Sequence, residues 1–238
     1  MESNVVELPV ADRIWAWFET NKKQIVTVAG IATVVGLVVY FFTWQREAKE
    51  AAASTALASV ATGIMDGSNN RADAAQAYLT VASKYPGTQA GARAMLQAAG
   101  AFFAEGKYAE AQAQFERFTR EYQGSPLMGQ AAMGKATSLD AQGKTDQAVA
   151  AYKELVTRHP NANFIPQAKF SLARLYETQG QLEQARDLYL EVEQSARFTA
   201  FGNEAGMRVE ELIAKNPKLA PTPPSASTNT VPAKVGQK

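Results

Sequence analysis

The residue types that carry acid–base, nucleophilic and metal chemistry are sparse in this chain. His159 is its single histidine, and it contains no cysteine. A Ser/His/Asp triad needs a histidine held between an acid and a serine, and a zinc site needs several His or Cys ligands. His159 stands alone before Pro160, where it reads as a turn residue at a helix C-terminus, a place that tolerates partial positive charge. The adjacent carboxylates Glu210 and Glu211 have no acid–base or metal constellation around them in the sequence. Neither a phosphate-binding glycine loop nor an HExxH motif occurs. The expectation is therefore no catalytic residues, no cofactor, no metal and no small-molecule substrate, in a protein that is not an enzyme. The formal net charge is +1, with 24 basic residues against 23 acidic ones, so no basic field argues for nucleic acid. Without cysteine there is no disulfide framework and no lipidated cysteine anchor.

What remains is pattern. From residue 71 onward the chain repeats every 37 residues. Gly106, Gly143 and Gly180 keep that spacing, as do Ala74, Ala111, Ala148 and Ala185. Tyr78, Phe115, Tyr152 and Tyr189 keep it too, with Val81, Phe118, Leu155 and Val192, and with Ala94, Ala131, Ala168 and Ala205. One period held in five registers is the mark of stacked repeats. Ala111, Phe115 and Phe118 stand at i, i+4 and i+7, one face of a helix. The small alanine lets the helices of a unit approach, and the aromatic fills the space between units. The glycines end the first helix of each unit, where a left-handed residue is needed. Pro86 and Pro160 stop second helices. Ser125-Pro126 reads as an N-cap followed by a proline at the first helical position. The spacing predicts helix pairs at 47–66 with 71–84, 88–105 with 108–122, 125–142 with 145–158 and 164–179 with 182–195, closed by a helix at 199–215. The insert aromatics Phe164, Phe198 and Phe201 are expected to seal neighbouring repeats, the other reading being a lip of the groove.

Ahead of the repeats, residues 25–44 read IVTVAGIATVVGLVVYFFTW, 20 residues without a charge. At about 1.5 Å per residue they span roughly 30 Å, the hydrocarbon thickness of a bilayer. The run exceeds a signal-peptide core, and bulky residues stand where small ones would be needed for cleavage, so the segment is read as a transmembrane helix. Arg13, Lys22 and Lys23 precede it; Arg46 and Lys49 follow. That bias places the N-terminus in the cytoplasm and the repeats outside it. Ile14, Trp15, Trp17 and Phe18, beside Asp12, Arg13 and Glu19, form either a short interfacial helix or a Trp-anchored extension of the span. No break precedes the first repeat helix, so one long rod joins it to the span. The layout is thus all-α: an arm at 1–24, a single transmembrane helix at 25–44 embedded in lipid, an α-solenoid of helix hairpins at 45–216 and a Pro/Ser/Thr-rich tail at 217–238, expected to be disordered.

The units resemble tetratricopeptide repeats. Ala99, Phe102, Gly106, Tyr108, Ala111 and Phe115 carry the likeness, and Ala173, Tyr176, Gly180, Ala185 and Tyr189 repeat it. Each unit is three residues longer than the usual 34-residue repeat, as in the BamD-like and CpoB-like families of bacterial envelope proteins. Gln123 stands where the family has its helix-ending proline, and Lys135 where leucine is usual. The resemblance implies that first helices line a concave face. Along it Leu96, Met133, Phe170 and Met207 form an apolar stripe, flanked by Arg93, Gln130, Asp140, Gln167, Arg174 and Glu177. The stripe reads either as a groove for a peptide or partner helix, or as core between neighbouring helices.

The whole layout over residues 8–215 resembles the YfgM-like family of ancillary subunits of the bacterial SecYEG translocon. That resemblance implies a protein-interaction scaffold in the bacterial inner membrane, its repeats in the periplasm. Its partners would be the Sec translocon, periplasmic chaperones or exported chains, and it would assist secretion or folding. The other implied role is a structural adaptor for cell-wall or outer-membrane machinery, as in CpoB-like or BamD-like proteins.

Overall fold

The computed structural model describes residues 10–67 and 73–220. Residues 1–9 of the arm, 71–72 of the expected second helix and 221–238 of the tail lie outside the described residues, as do the side chains of Asp12, Arg13 and Ile25. Every regular element among the described residues is helical: α1 Val10–Met65, α2 Ala74–Lys84, α3 Gln89–Ala104, α4 Tyr108–Glu121, α5 Met128–Ala141, α6 Thr145–Arg158, α7 Ile165–Thr178, α8 Leu182–Ser195 and α9 Ala200–Lys215. The chain forms two compact units. One holds α1, α2 from Ala77 and α3 as far as Ala94; the other holds the start of α2, as far as Gln76, and the chain from Met95 through α9.

In the first unit α1 is a single helix of 56 residues, about 84 Å long at 1.5 Å per residue. No break separates the aromatic arm, the uncharged segment and the first repeat helix. The apolar part has a mean hydropathy of 2.1 and is long and apolar enough to cross a bilayer, with none of it buried. Further along the unit Ala53 on α1, Val81 and Ala82 on α2, and Ala90 and Ala92 on α3 are buried. Where α1 leaves its apolar stretch it grips the loop between α2 and α3. Lys49 Nζ donates to the Pro86 carbonyl at 2.7 Å. The Glu50 carboxylate accepts the N–H groups of Gln89 and Ala90 at 2.7 and 2.8 Å, satisfying two donors at the start of α3 that no helix carbonyl reaches.

In the second unit the 37-residue registers become layers. Ala111, Ala148 and Ala185 are fully buried, as are Ala131, Ala168 and Ala205. Phe118, Leu155 and Val192 are buried at the same turn of successive helices, and Phe115, Tyr152 and Tyr189 one turn earlier. The expected chain reversals form at Gly106, Gly143 and Gly180, with φ of 76°, 69° and 72°. In each, the glycine N–H bonds to a carbonyl three residues back and the next N–H to one five back, as from Lys107 to Phe102 and Lys144 to Leu139. That is the Schellman closure, and it needs a left-handed residue.

Three details differ from the sequence expectation. α5 starts at Met128, not Ser125: Ser125, Pro126 and Leu127 form a turn in which Ser125 Oγ accepts the Leu127 N–H at 3.2 Å. Phe198 seals nothing and is 96 % exposed, whereas Phe164 and Phe201 pack on the core. The chain also stays packed past α9. Pro217–Leu219 forms a 3₁₀ turn, Leu219 is buried, and its carbonyl accepts from Arg186 at 2.9 Å, so the first residues assigned to the tail close the last repeat.

Candidate protein-binding face

α5, α7 and α9 are the first helices of successive hairpins and repeat the same positions. Met133, Thr137 and Asp140 on α5 correspond to Phe170, Arg174 and Glu177 on α7, and Met207 and Glu211 stand in the first two positions on α9. The i, i+4, i+7 spacing puts each set on one stripe of its helix. Ala131, Ala168 and Ala205, fully buried, precede each stripe by two residues, about 200° round the helix, so the stripe lies on a different side of its helix from these alanines.

The apolar members of the stripe are not alike. Met133 and Phe170 are half-buried and pack on the core. Phe170 sits between two rings, Tyr189 at 5.3 Å and Phe201 at 5.8 Å between centroids. Met207 is 62 % exposed. Leu96 on α3 is half-buried. Arg93 is exposed on α3 and belongs to the first unit. Gln130 and Gln167 are exposed.

The charged members are largely paired. Arg174 bonds to Asp140 across neighbouring first helices, and the Asp140 side chain is only 17 % exposed. The Tyr189 hydroxyl donates to Glu177 at 3.1 Å, and that of Tyr152 to Thr137 Oγ1 at 3.2 Å. Each second-helix tyrosine thus reaches through its hairpin to a polar group on the first helix. Burial pushes both phenols above their usual value; at Tyr189 the negative charge of Glu177 adds to the effect, and at Tyr152 the hydrogen bonds to Thr137 and Ser171 oppose it. The tyrosines read from the sequence as core filler therefore also position the face, a role that periodicity alone does not reveal.

Elsewhere in this unit, Thr119, Met128, Lys135, Leu155, Arg158 and His159 line a cleft of about 260 Å³. His159 caps the end of α6, as expected of a turn residue. Lys135 faces Glu116 at 3.7 Å and Arg158 faces Glu154 at 3.1 Å, so the cleft offers an anion no uncompensated pair of cations. Among the described residues no group of three or more His, Cys, Asp or Glu side chains could hold a metal ion.

Stacked helical hairpins with one repeated, partly apolar face define a class: repeat scaffolds whose extended surfaces bind other proteins. Residues 96–163 and 133–198 match the tetratricopeptide repeat family, and residues 15–121 match a tetratricopeptide repeat-like domain. The chain is a tetratricopeptide repeat protein, and its repeats make it a protein–protein interaction scaffold. Among solved structures it is similar to the nearly identical repeats of a putative kinesin light chain from Podosopora anserina, at 15 % identity over 69 % of this chain and 86 % of that one, TM-score 0.55. A second structure of those repeats gives 16 % identity over the same shares, TM-score 0.54. PcrH from Pseudomonas aeruginosa matches at 17 % identity over 52 % of this chain and 93 % of that one, TM-score 0.47. No curated protein matches the chain.

Proposed function

We propose that this protein is a single-pass membrane scaffold of the bacterial inner membrane, with residues 25–44 in the bilayer, the N-terminus in the cytoplasm and the repeats in the periplasm. There it binds exported chains or periplasmic chaperones beside the Sec translocon. The observation that carries the anchor is the bare apolar surface of α1: Val28, Ile31, Val34, Leu37 and Phe41 are all exposed within one uncharged stretch. Soluble proteins rarely leave so large a continuous apolar surface in water, and a bilayer covers it. The match to the repeat-like domain begins at residue 15, ahead of this stretch, which supports reading anchor and repeats as one arrangement. Orientation rests on Arg13, Lys22 and Lys23 before the span against Arg46 and Lys49 after it. The face of α5, α7 and α9, with Leu96 and the exposed Gln130 and Gln167 of the same unit, is the proposed protein-binding groove.

Two measurements test this. Protease added to intact spheroplasts is expected to remove the repeats and leave a small protected N-terminal fragment; survival of the repeats refutes the orientation. Photocrosslinkers at Gln130 and Gln167 in living membranes are expected to capture translocon subunits, chaperones or exported chains. Capture of cell-wall or outer-membrane machinery instead replaces the secretion role with that of a structural adaptor.

A further inference from the structure

We propose that the loop joining α2 to α3, residues 85–88, rests with the first residue of α3 on the phospholipid headgroups, held there by Lys49 and Glu50. The inference rests on the membrane reading above and adds which part of the repeat domain touches the bilayer.

Its geometry lies wholly within the first unit. The apolar segment ends at Trp44, and α1 continues without a break. At 1.5 Å per residue Lys49 and Glu50 stand about 7.5 and 9 Å further along the axis. The headgroup layer on each side of a bilayer is roughly 5–8 Å thick. Both residues therefore lie at its outer edge. Lys49 binds the Pro86 carbonyl and Glu50 binds the N–H groups of Gln89 and Ala90, so the loop has no freedom to sit elsewhere along α1.

The chemistry of the loop suits the same surface. Arg46 and Lys49 lie one turn apart on α1, and Lys84 flanks the loop, its ammonium 5.5 Å from the Tyr85 ring centre. All three cations are exposed. Of the acids nearby, Glu50 has both oxygens engaged by backbone N–H groups, which leaves Glu47 as the other carboxylate lining the open space beside the loop. Cations within about 10 Å of an anionic headgroup layer are attracted to it before salt screens them. Tyr85, half-buried, is of the residue type that favours the interface.

The absence of cysteine makes a site-specific test direct. The full chain is reconstituted in phosphatidylethanolamine/phosphatidylglycerol vesicles as single-cysteine variants bearing an environment-sensitive fluorophore. Gln89→Cys and Lys84→Cys report on the loop. Leu37→Cys reports on the span, and Met65→Cys on the far end of α1, about 31 Å beyond Trp44. Lipid carrying a nitroxide on its headgroup is expected to quench both loop labels severalfold more than the Met65 label. Lipid with the nitroxide deep in its acyl chain should quench the Leu37 label. Combining Lys49→Ala and Glu50→Ala should lower loop quenching toward the Met65 level and leave Leu37 unchanged. Loop labels no more quenched than Met65, with Leu37 quenched, overturn the loop contact and leave the anchor standing. Loop quenching untouched by the double substitution overturns the role of Lys49 and Glu50. A Leu37 label that deep lipid fails to quench overturns the membrane reading itself, and the inference with it.

Discussion

The Tyr189 hydroxyl donates to Glu177 Oε2 at 3.1 Å from a ring that is fully buried. Burial first, then the negative charge of Glu177 and the hydrogen bond to it, raise the phenol above its ordinary value of 10.0. The sign of the pH effect follows. Above pH 10 the unfolded chain has released this proton while the folded chain retains it, so the unfolded state binds fewer protons and stability falls as pH rises. Tyr152, raised mainly by burial, acts in the same direction. Each group can contribute a slope of at most about 1.4 kcal/mol per pH unit. Urea melts at pH 9, 10 and 11 should show the loss, and Tyr189→Phe should flatten it in part. Parallel alkaline limbs for the two proteins would be evidence against a buried, neutral Tyr189.

Two glycines are expected to respond oppositely to the same change. A Cβ on Gly202 would lie 2.1 Å from the Ala196 carbonyl oxygen, in backbone that cannot swing aside. Gly202→Ala should cost about 2 kcal/mol or more. Gly100 is helical and exposed, and a Cβ there meets nothing within 4 Å. Gly100→Ala should stabilise by about 0.5–1 kcal/mol through the lower chain entropy of alanine. Thermal melts of both variants check the pair, and a Gly202→Ala protein as stable as wild type would contradict the close approach.

The repeat register makes its own prediction. Ala148 is fully buried and Ala150, two residues on, is exposed. Ala148→Arg pushes a charged chain into a tight helix contact and should cost at least about 3 kcal/mol. Ala150→Arg should change stability by less than about 0.5 kcal/mol. Equal melting temperatures for the two would dissolve the 37-residue register.

The hairpins were legible in the sequence because a fixed period ties each repeated position to two or three others; Ala111 alone would say little, but with Ala148 and Ala185 it defines a helix contact. Positions outside the period were read less well. Phe198 has no counterpart at that spacing, and its apolar character pointed inward while the loop turns it to solvent. The start of α5 was misjudged because Ser125-Pro126 carries the chemistry of a cap, yet it spends that chemistry on a turn. On the candidate face, Asp140 and Arg174 were each singled out, but their mutual pairing depends on how α5 and α7 lie side by side. The bonds from Lys49 and Glu50 to the α2–α3 loop link residues 37 to 40 apart with no repeated pattern to announce them.

The stripe on α5, α7 and α9 offers the decisive functional test, and its three members should behave differently. Phe170 is held between the Tyr189 and Phe201 rings, so Phe170→Glu should unfold the second unit or cost several kcal/mol, whatever the face binds. Met133 is half-buried against the core, and Met133→Glu should fall between. Met207 is 62 % exposed, so Met207→Glu should leave the circular dichroism spectrum and melting temperature close to wild type. If the face binds a partner through this stripe, an interface anchor there is worth about 2 kcal/mol, roughly a thirtyfold loss of affinity. Capture of partners from membranes by the folded Met207→Glu protein should drop accordingly, and combining it with Gln167→Glu should deepen the loss without unfolding. Wild-type capture by both folded variants would remove this face from the binding function and return Met133 and Phe170 to the role of core.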